Sequence, residues 1–200
     1  MDADPRATPP ADVIPIHRGP RSNRWPAAGV ALFLGSWGIS FLALFVLAVA
    51  IRTNAPQWPP PGIPPLRTDL PLANTLDAVL ASLAVHVALG RLRAGRREAS
   101  MRWLAAALLL GLGFLCVQAF AWRDVALSST PPGPFRGLFH VLTGFHAAHV
   151  AASVAWLARV LRSIASSGTT PADHAGFRYA VWFAHFTTAA WLGTAAVLYV

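Results

Sequence analysis

Two imidazoles, His146 and His149, stand three residues apart in Leu142-Thr143-Gly144-Phe145-His146-Ala147-Ala148-His149-Val150, inside an uninterrupted apolar stretch. With Ser153 they share one stripe of a helix, at i, i+3 and i+7. His86, His185, Asn74 and Asp77 interrupt other apolar stretches. Polar and ionisable groups are costly at membrane depth, so they serve there as packing glue, as proton or polar-lipid sites, or as ligands. Facing histidines can ligate a haem iron, and a lone intramembrane carboxylate can carry a proton. The sequence offers no Ser/His/Asp or Cys/His group, no phosphate-cradling loop and no metal-spaced cluster. Scattered histidines and one carboxylate on helices do not make an active site. No catalytic, cofactor-binding or metal-binding residue is expected, and no cofactor.

The elements that must position these groups follow from composition. Apolar residues make up 55% of the 200 and charged ones only 12%. The mean hydropathy of +0.50 and several charge-free stretches of membrane-spanning length point to a bilayer as the solvent. A formal charge of +8 would suggest nucleic acid in a soluble chain. Here the sixteen basic residues, all Arg, sit between apolar segments, where orienting the chain in a bilayer explains them better. With no basic face carrying interleaved aromatics, no nucleic-acid partner is expected. Cys116, the one cysteine, lies mid-segment and reads as a small buried side chain.

The fold class expected is all-α: a polytopic membrane protein built as a five-helix transmembrane bundle. The spans fall at about 27–51, 70–90, 103–122, 137–158 and 179–200. Residues 1–24 lack the apolar core of a signal peptide and read as a retained, disordered cytoplasmic tail. The Pro/Gly stretch 55–65 cannot be helix and serves as a connection, and a second Pro/Gly loop, 128–134, leads into the fourth span. Residues 159–178 read as a polar connection between spans four and five. With the N-terminus inside, the inner segments hold twelve arginines and the outer segments four. The positive-inside rule then places the N-terminus in the cytoplasm and the C-terminus outside.

Within that frame Asp77 lies about two turns from the outer end of span two. Asn74, one turn away, or a neighbouring helix is expected to satisfy it. His86 is nine positions further on, on the opposite side of the helix, and next to the basic loop 91–102. An interfacial or headgroup contact is the plain reading. Gly144, Ala148 and Ala152 form a row of small residues that permits close helix approach. His149 lies about 12 Å from the inner side and His185, on the antiparallel fifth span, about 10 Å from it, so the two can meet. Such a pair could be a hydrogen-bonded network joining helices, a proton or polar-lipid site, or a haem ligand set.

The same residues resemble a known family. Leu142-Thr143-Gly144-Phe145-His146 followed by His149-Val150 is similar to the signature helix of subunit III of the haem–copper terminal oxidases. Further similarity comes in the family's order: Trp58-Pro59-Pro60-Pro61-Gly62 and Asn74-Thr75, then Gly111-Leu112-Gly113-Phe114-Leu115 with Gln118, then His185-Phe186 with Trp191. It covers roughly residues 30–200 and resembles the short, five-helix bacterial form. Three carboxylates usual in the family are missing, with Trp37, Ala121 and Thr188 in their places. These departures fit a divergent member, or a paralogue serving a nitric oxide reductase.

The resemblance implies a non-catalytic subunit of an aerobic respiratory enzyme in the bacterial inner membrane. The haems and copper would belong to its partner, subunit I, with subunit II as a further candidate partner. The helices would enclose a lipid-filled cleft and help keep the catalytic subunit stable, with membrane lipids as partners too. His86, His146, His149 and His185, with Asn74 and Asp77 nearer the outer face, are the residues expected in the cleft or polar network. The competing classes are a stand-alone b-type membrane cytochrome using His149 and His185, and a small transporter or lipid-binding protein with Asp77 as its coupling acid.

Overall fold

The computed structural model describes residues 24–58, 68–127, 133–166 and 171–199. The described residues form five long helices: α1 (Arg24–Thr53), α2 (Asp69–Arg93), α3 (Arg97–Leu127), α4 (Pro134–Ser166) and α5 (Pro171–Tyr199). All five are long and apolar enough to cross a membrane. In hydrocarbon every backbone polar group must be satisfied within the segment, and continuous helix achieves this. The chain is an all-α, multi-pass membrane protein, as its composition requires. The tail preceding α1 and the cores of both proline-rich connections (59–67 and 128–132) lie outside the described residues.

The first four expected spans each sit inside one helix and residues 179–199 of the fifth lie in α5, but the helices run further. The largest difference is at 159–178, read from sequence as a polar connection. Instead α4 continues to Ser166 and α5 starts at Pro171. Arg159, Arg162 and Arg178 lie on helix, where long side chains can carry their charge toward the interface. Pro171 suits a first helical turn, whose N–H needs no partner within the helix.

α2, α3, α4 and α5 pack around a common centre in that cyclic order, and among the described helices α1 lies against α4 and α5 only. The turn from α2 to α3 is short. Gly95 adopts φ 72°, and the amides of Gly95 and Arg96 donate to Leu92 O and Arg91 O. This pattern closes a helix on a left-handed residue, which glycine adopts without a Cβ clash. The Ser100 hydroxyl then donates to Ala88 O at 2.8 Å, tying α3 to α2. Arg97 reaches across to the end of α4, donating from Nε to Ile164 O and from Nη2 to Ala165 O at 2.9 and 2.8 Å. Those carbonyls belong to the last turn, which has no intrahelical donors left to offer them.

The core is layered along the bundle. At the end carrying the α2–α3 turn, Val85, Ala88, Leu104, Ile164 and Phe177 pack together. At the other end Ala48, Ala121, Leu138, Phe139, Leu142 and Leu198 do so. Between them lies a thin layer of Phe114, Val150 and Trp191, and the polar residues gather at this level.

Candidate functional site

His146 is 1% exposed, set among Phe41, Phe114 and Trp191. Its Nε2 lies 2.9 Å from Thr187 O on α5. A carbonyl only accepts, so Nε2 carries the proton and donates, leaving Nδ1 with a lone pair. His149 turns the other way. Its Nδ1–H donates to Phe145 O one turn back in its own helix, at 2.8 Å. Its ring lies edge-on to Trp37 with centroids 4.6 Å apart, and contacts Phe41, Phe145 and Phe183. This aromatic group joins α1 to α4 and α5.

His185 does not meet His149. It hydrogen-bonds through Nδ1 to the Ser82 hydroxyl on α2, and its ring lies 5.6 Å from that of His86. His86 itself is exposed on α2. The bond between α4 and α5 is therefore made by His146, and His185 serves the α2–α5 contact. Axial rotation decides this: equal depth lets two residues face each other, but the helix sides they occupy send them to different neighbours.

Asn74, 1% exposed, donates from Nδ2 to Gln118 Oε1 on α3 at 3.2 Å rather than to Asp77. Trp191 Nε1–H donates to the Thr75 hydroxyl at 2.9 Å, joining α5 to α2. Trp122 Nε1–H donates to the Thr143 hydroxyl at 2.8 Å, joining α3 to α4. Asp77 extends toward α3, where its Oδ2 lies 3.2 Å from the position a Cβ would take at Gly113. Glycine makes room for the carboxylate.

Trp37, Ala121 and Thr188, the three positions at which the resemblance implied carboxylates, are occupied by packing and hydrogen-bonding side chains. Trp37 packs on Phe145 and His149. Ala121 is buried in the layer with Leu138 and Leu142. The Thr188 hydroxyl donates to Ala78 O on α2 at 3.2 Å, and to Ala184 O.

Two sequence expectations fail on facing. Ala148 and Ala152 of the small-residue row are exposed, so that row lines the outside of the bundle. Cys116 is exposed rather than buried. Ser82, Thr187 and Gln118 were not singled out as site residues by sequence. Gln118 carried part of the resemblance, and Ser82 sits one turn before His86 on the same helix face. Nothing in the sequence marks the Thr187 carbonyl. Among the described residues no three of His, Cys, Asp or Glu gather closely enough to hold a metal ion.

Residues 24–200 match the family profile of cytochrome c oxidase subunit III, across all five helices. The chain belongs to the cytochrome c oxidase subunit III family. It is 31% identical over 183 residues to cytochrome c oxidase subunit 3 of Gallus gallus, covering 88% of this chain and 69% of that one. The corresponding protein of the cyanobacterium Synechocystis sp. is 30% identical over 165 residues, covering 82% and 70%. That of Cyprinus carpio is 32% identical over 183 residues, covering 88% and 69%. Subunit III is a non-catalytic component of a haem–copper oxidase. The geometry is consistent with that role: the buried histidine, amide and hydroxyl groups of this subunit III chain mostly join one helix to another.

Proposed function

We propose that the chain is the subunit III of a haem–copper terminal oxidase in aerobic respiratory electron transport. It packs beside the catalytic subunit I, with subunit II as a further neighbour and membrane lipids around it, and keeps the catalytic subunit stable. It resides in a bacterial inner membrane with its N-terminus in the cytoplasm and its C-terminus in the periplasm. The family match over residues 24–200 carries this reading. Arginine placement supports the orientation: Arg91, Arg93, Arg96, Arg97 and Arg102 crowd one short turn. In this reading His86, His146, His149, His185, Asn74 and Asp77 hold the bundle in the shape its partner docks against, and border any bound lipid.

Affinity purification of the tagged chain from native membranes tests the proposal. A larger haem-bearing subunit should come with it, and its deletion should shorten the working life of the assembled oxidase. Recovery of the chain alone, folded and at normal yield, would refute the reading. If the co-purifying partner reduces nitric oxide and not oxygen, the chain serves a nitric oxide reductase instead.

A further inference from the structure

We propose that the outward seam between α2 and α3 is the docking surface for a transmembrane helix of another oxidase subunit, and that an arginine or lysine of that helix pairs with Asp77. The proposal rests on the reading of this chain as one subunit of a membrane complex.

Asp77 is half-buried, and its place in α2, which starts at Asp69, puts it about 12 Å in from that end. Lysine and arginine carry their charge to an interface on long apolar stems, which aspartate lacks. Carboxylates within a membrane span are therefore paired with another group as a rule. Among the described residues no donor reaches this one. The polar groups nearby are bonded elsewhere: Asn74 donates to Gln118, Thr188 to Ala78 O and Ala184 O, and the Trp191 ring N–H to Thr75, while Ser82 is bonded to His185. The arginines of the same two helices are too distant. Arg91 lies about 21 Å along α2 from Asp77, and Arg123 about 15 Å along α3 from Gly113, the residue beside the carboxylate.

The surroundings fit an occupant from outside the chain. Leu76 and Leu80 of α2 and Leu112 of α3, neighbours of Asp77 and Gly113, are exposed. Among the described helices α1 lies on α4 and α5, so it does not cover this side of the bundle. Gly113 has no side chain to separate the carboxylate from an arriving helix, and small residues are what allow close approach in a membrane. Lipid tails would surround Asp77 with nothing to bond. An ionised carboxylate accepts only, so the complementary group is a donor, and a cationic donor also compensates its charge. A guanidinium fork can bond both oxygens at once.

The test uses the assembly that the tagged chain brings out of native membranes. A photoreactive benzoylphenylalanine at position 80 should attach to a second subunit. On the affinity matrix in mild detergent, that subunit should leave Asp77→Leu roughly thirtyfold faster than wild type or more, as when one side of a buried ion pair is removed. Asp77→Asn should fall between the two. Cross-linking between cysteines placed on α2 and α3 should stay at the wild-type level in both variants. Release from Asp77→Leu at the wild-type rate, or a position-80 probe that attaches to no protein, overturns the proposal. So does a loss of α2–α3 cross-linking alongside faster release, since the carboxylate would then serve packing within this chain. A wild-type chain that brings down no partner overturns the subunit reading as well, whereas a partner that Asp77→Leu holds normally overturns this proposal alone.

Discussion

His146→Phe is the most informative single substitution. Phenylalanine keeps a flat ring against Phe114 and Trp191, whose centroids lie 5.2 and 5.3 Å from that of His146. It removes the Nε2–H bond to Thr187 O. The Thr187 carbonyl lies within α5 and keeps its place in the helical ladder, so it is not left bare. The loss is then that of one interhelical bond in a membrane bundle, about 0.6 kcal/mol on average and up to about 1.7. At 1.36 kcal/mol per tenfold this is roughly a threefold to eighteenfold shift in the unfolding equilibrium. His146→Ala also removes the ring, and an aromatic-sized cavity adds about 3 kcal/mol or more. The assay is equilibrium unfolding in mixed micelles, followed by tryptophan fluorescence, with the visible spectrum of the co-purified haems recorded alongside. The expected order is wild type, then Phe, then Ala, with the haem spectrum unchanged in all three. A Phe variant as stable as wild type would show that the imidazole is not a tether. An altered haem spectrum at unchanged stability would show that His146 acts on the redox centre.

Three further outcomes are expected. Arg97→Ala should free the last carbonyls of α4 and cost about 1–2 kcal/mol, because hydrogen bonds from a charged donor to a helix C-terminus are among the stronger ones. Faster amide exchange confined to the end of α4 would report it. A Cβ at Gly193 would meet the Phe45 ring at 2.6 Å, so Gly193→Leu should loosen α1 from α5. Cross-linking between cysteines placed on α1 and α5 should fall, while cross-linking between α2 and α3 stays. Asn74→Ala should strand the Gln118 carbonyl oxygen and cost about 1–3 kcal/mol. The pair Asn74→Leu with Gln118→Leu should recover most of it in the same unfolding assay, a non-additivity expected for side chains in direct contact.

The five spans were legible because hydropathy alone separates charge-free stretches of membrane length from the arginine- and proline-rich segments between them. Helix ends were less so. Arg159, Arg162 and Arg178 looked like loop residues, yet charge at a membrane boundary says nothing about whether the backbone has left the helix. The stripe of His146, His149 and Ser153 was correctly read as one helix face, and all three are buried. Partners were not legible. Depth suggested His149 against His185, whereas the azimuth of each helix sends His149 to Trp37 on α1 and His185 to Ser82 on α2. Azimuth depends on tertiary packing, which a period of 3.6 residues does not encode. The same limit hid the outward facing of Ala148, Ala152 and Cys116, since small residues fit equally well inside a bundle or against lipid.

The position of α1 bears on how the molecule is made. First of the described helices along the chain, it rests only on the last two, α4 and α5. At a synthesis rate of about 5–20 residues per second, α1 spends several seconds in the bilayer before either arrives. Its sequence suits that wait: the mean hydropathy of its span is 2.3, against 1.4 and 1.3 for α4 and α5. A segment that must stand alone among acyl chains can hold few groups in need of company. The later segments, emerging beside neighbours already inserted, are free to carry the imidazoles and hydroxyls that recognise them.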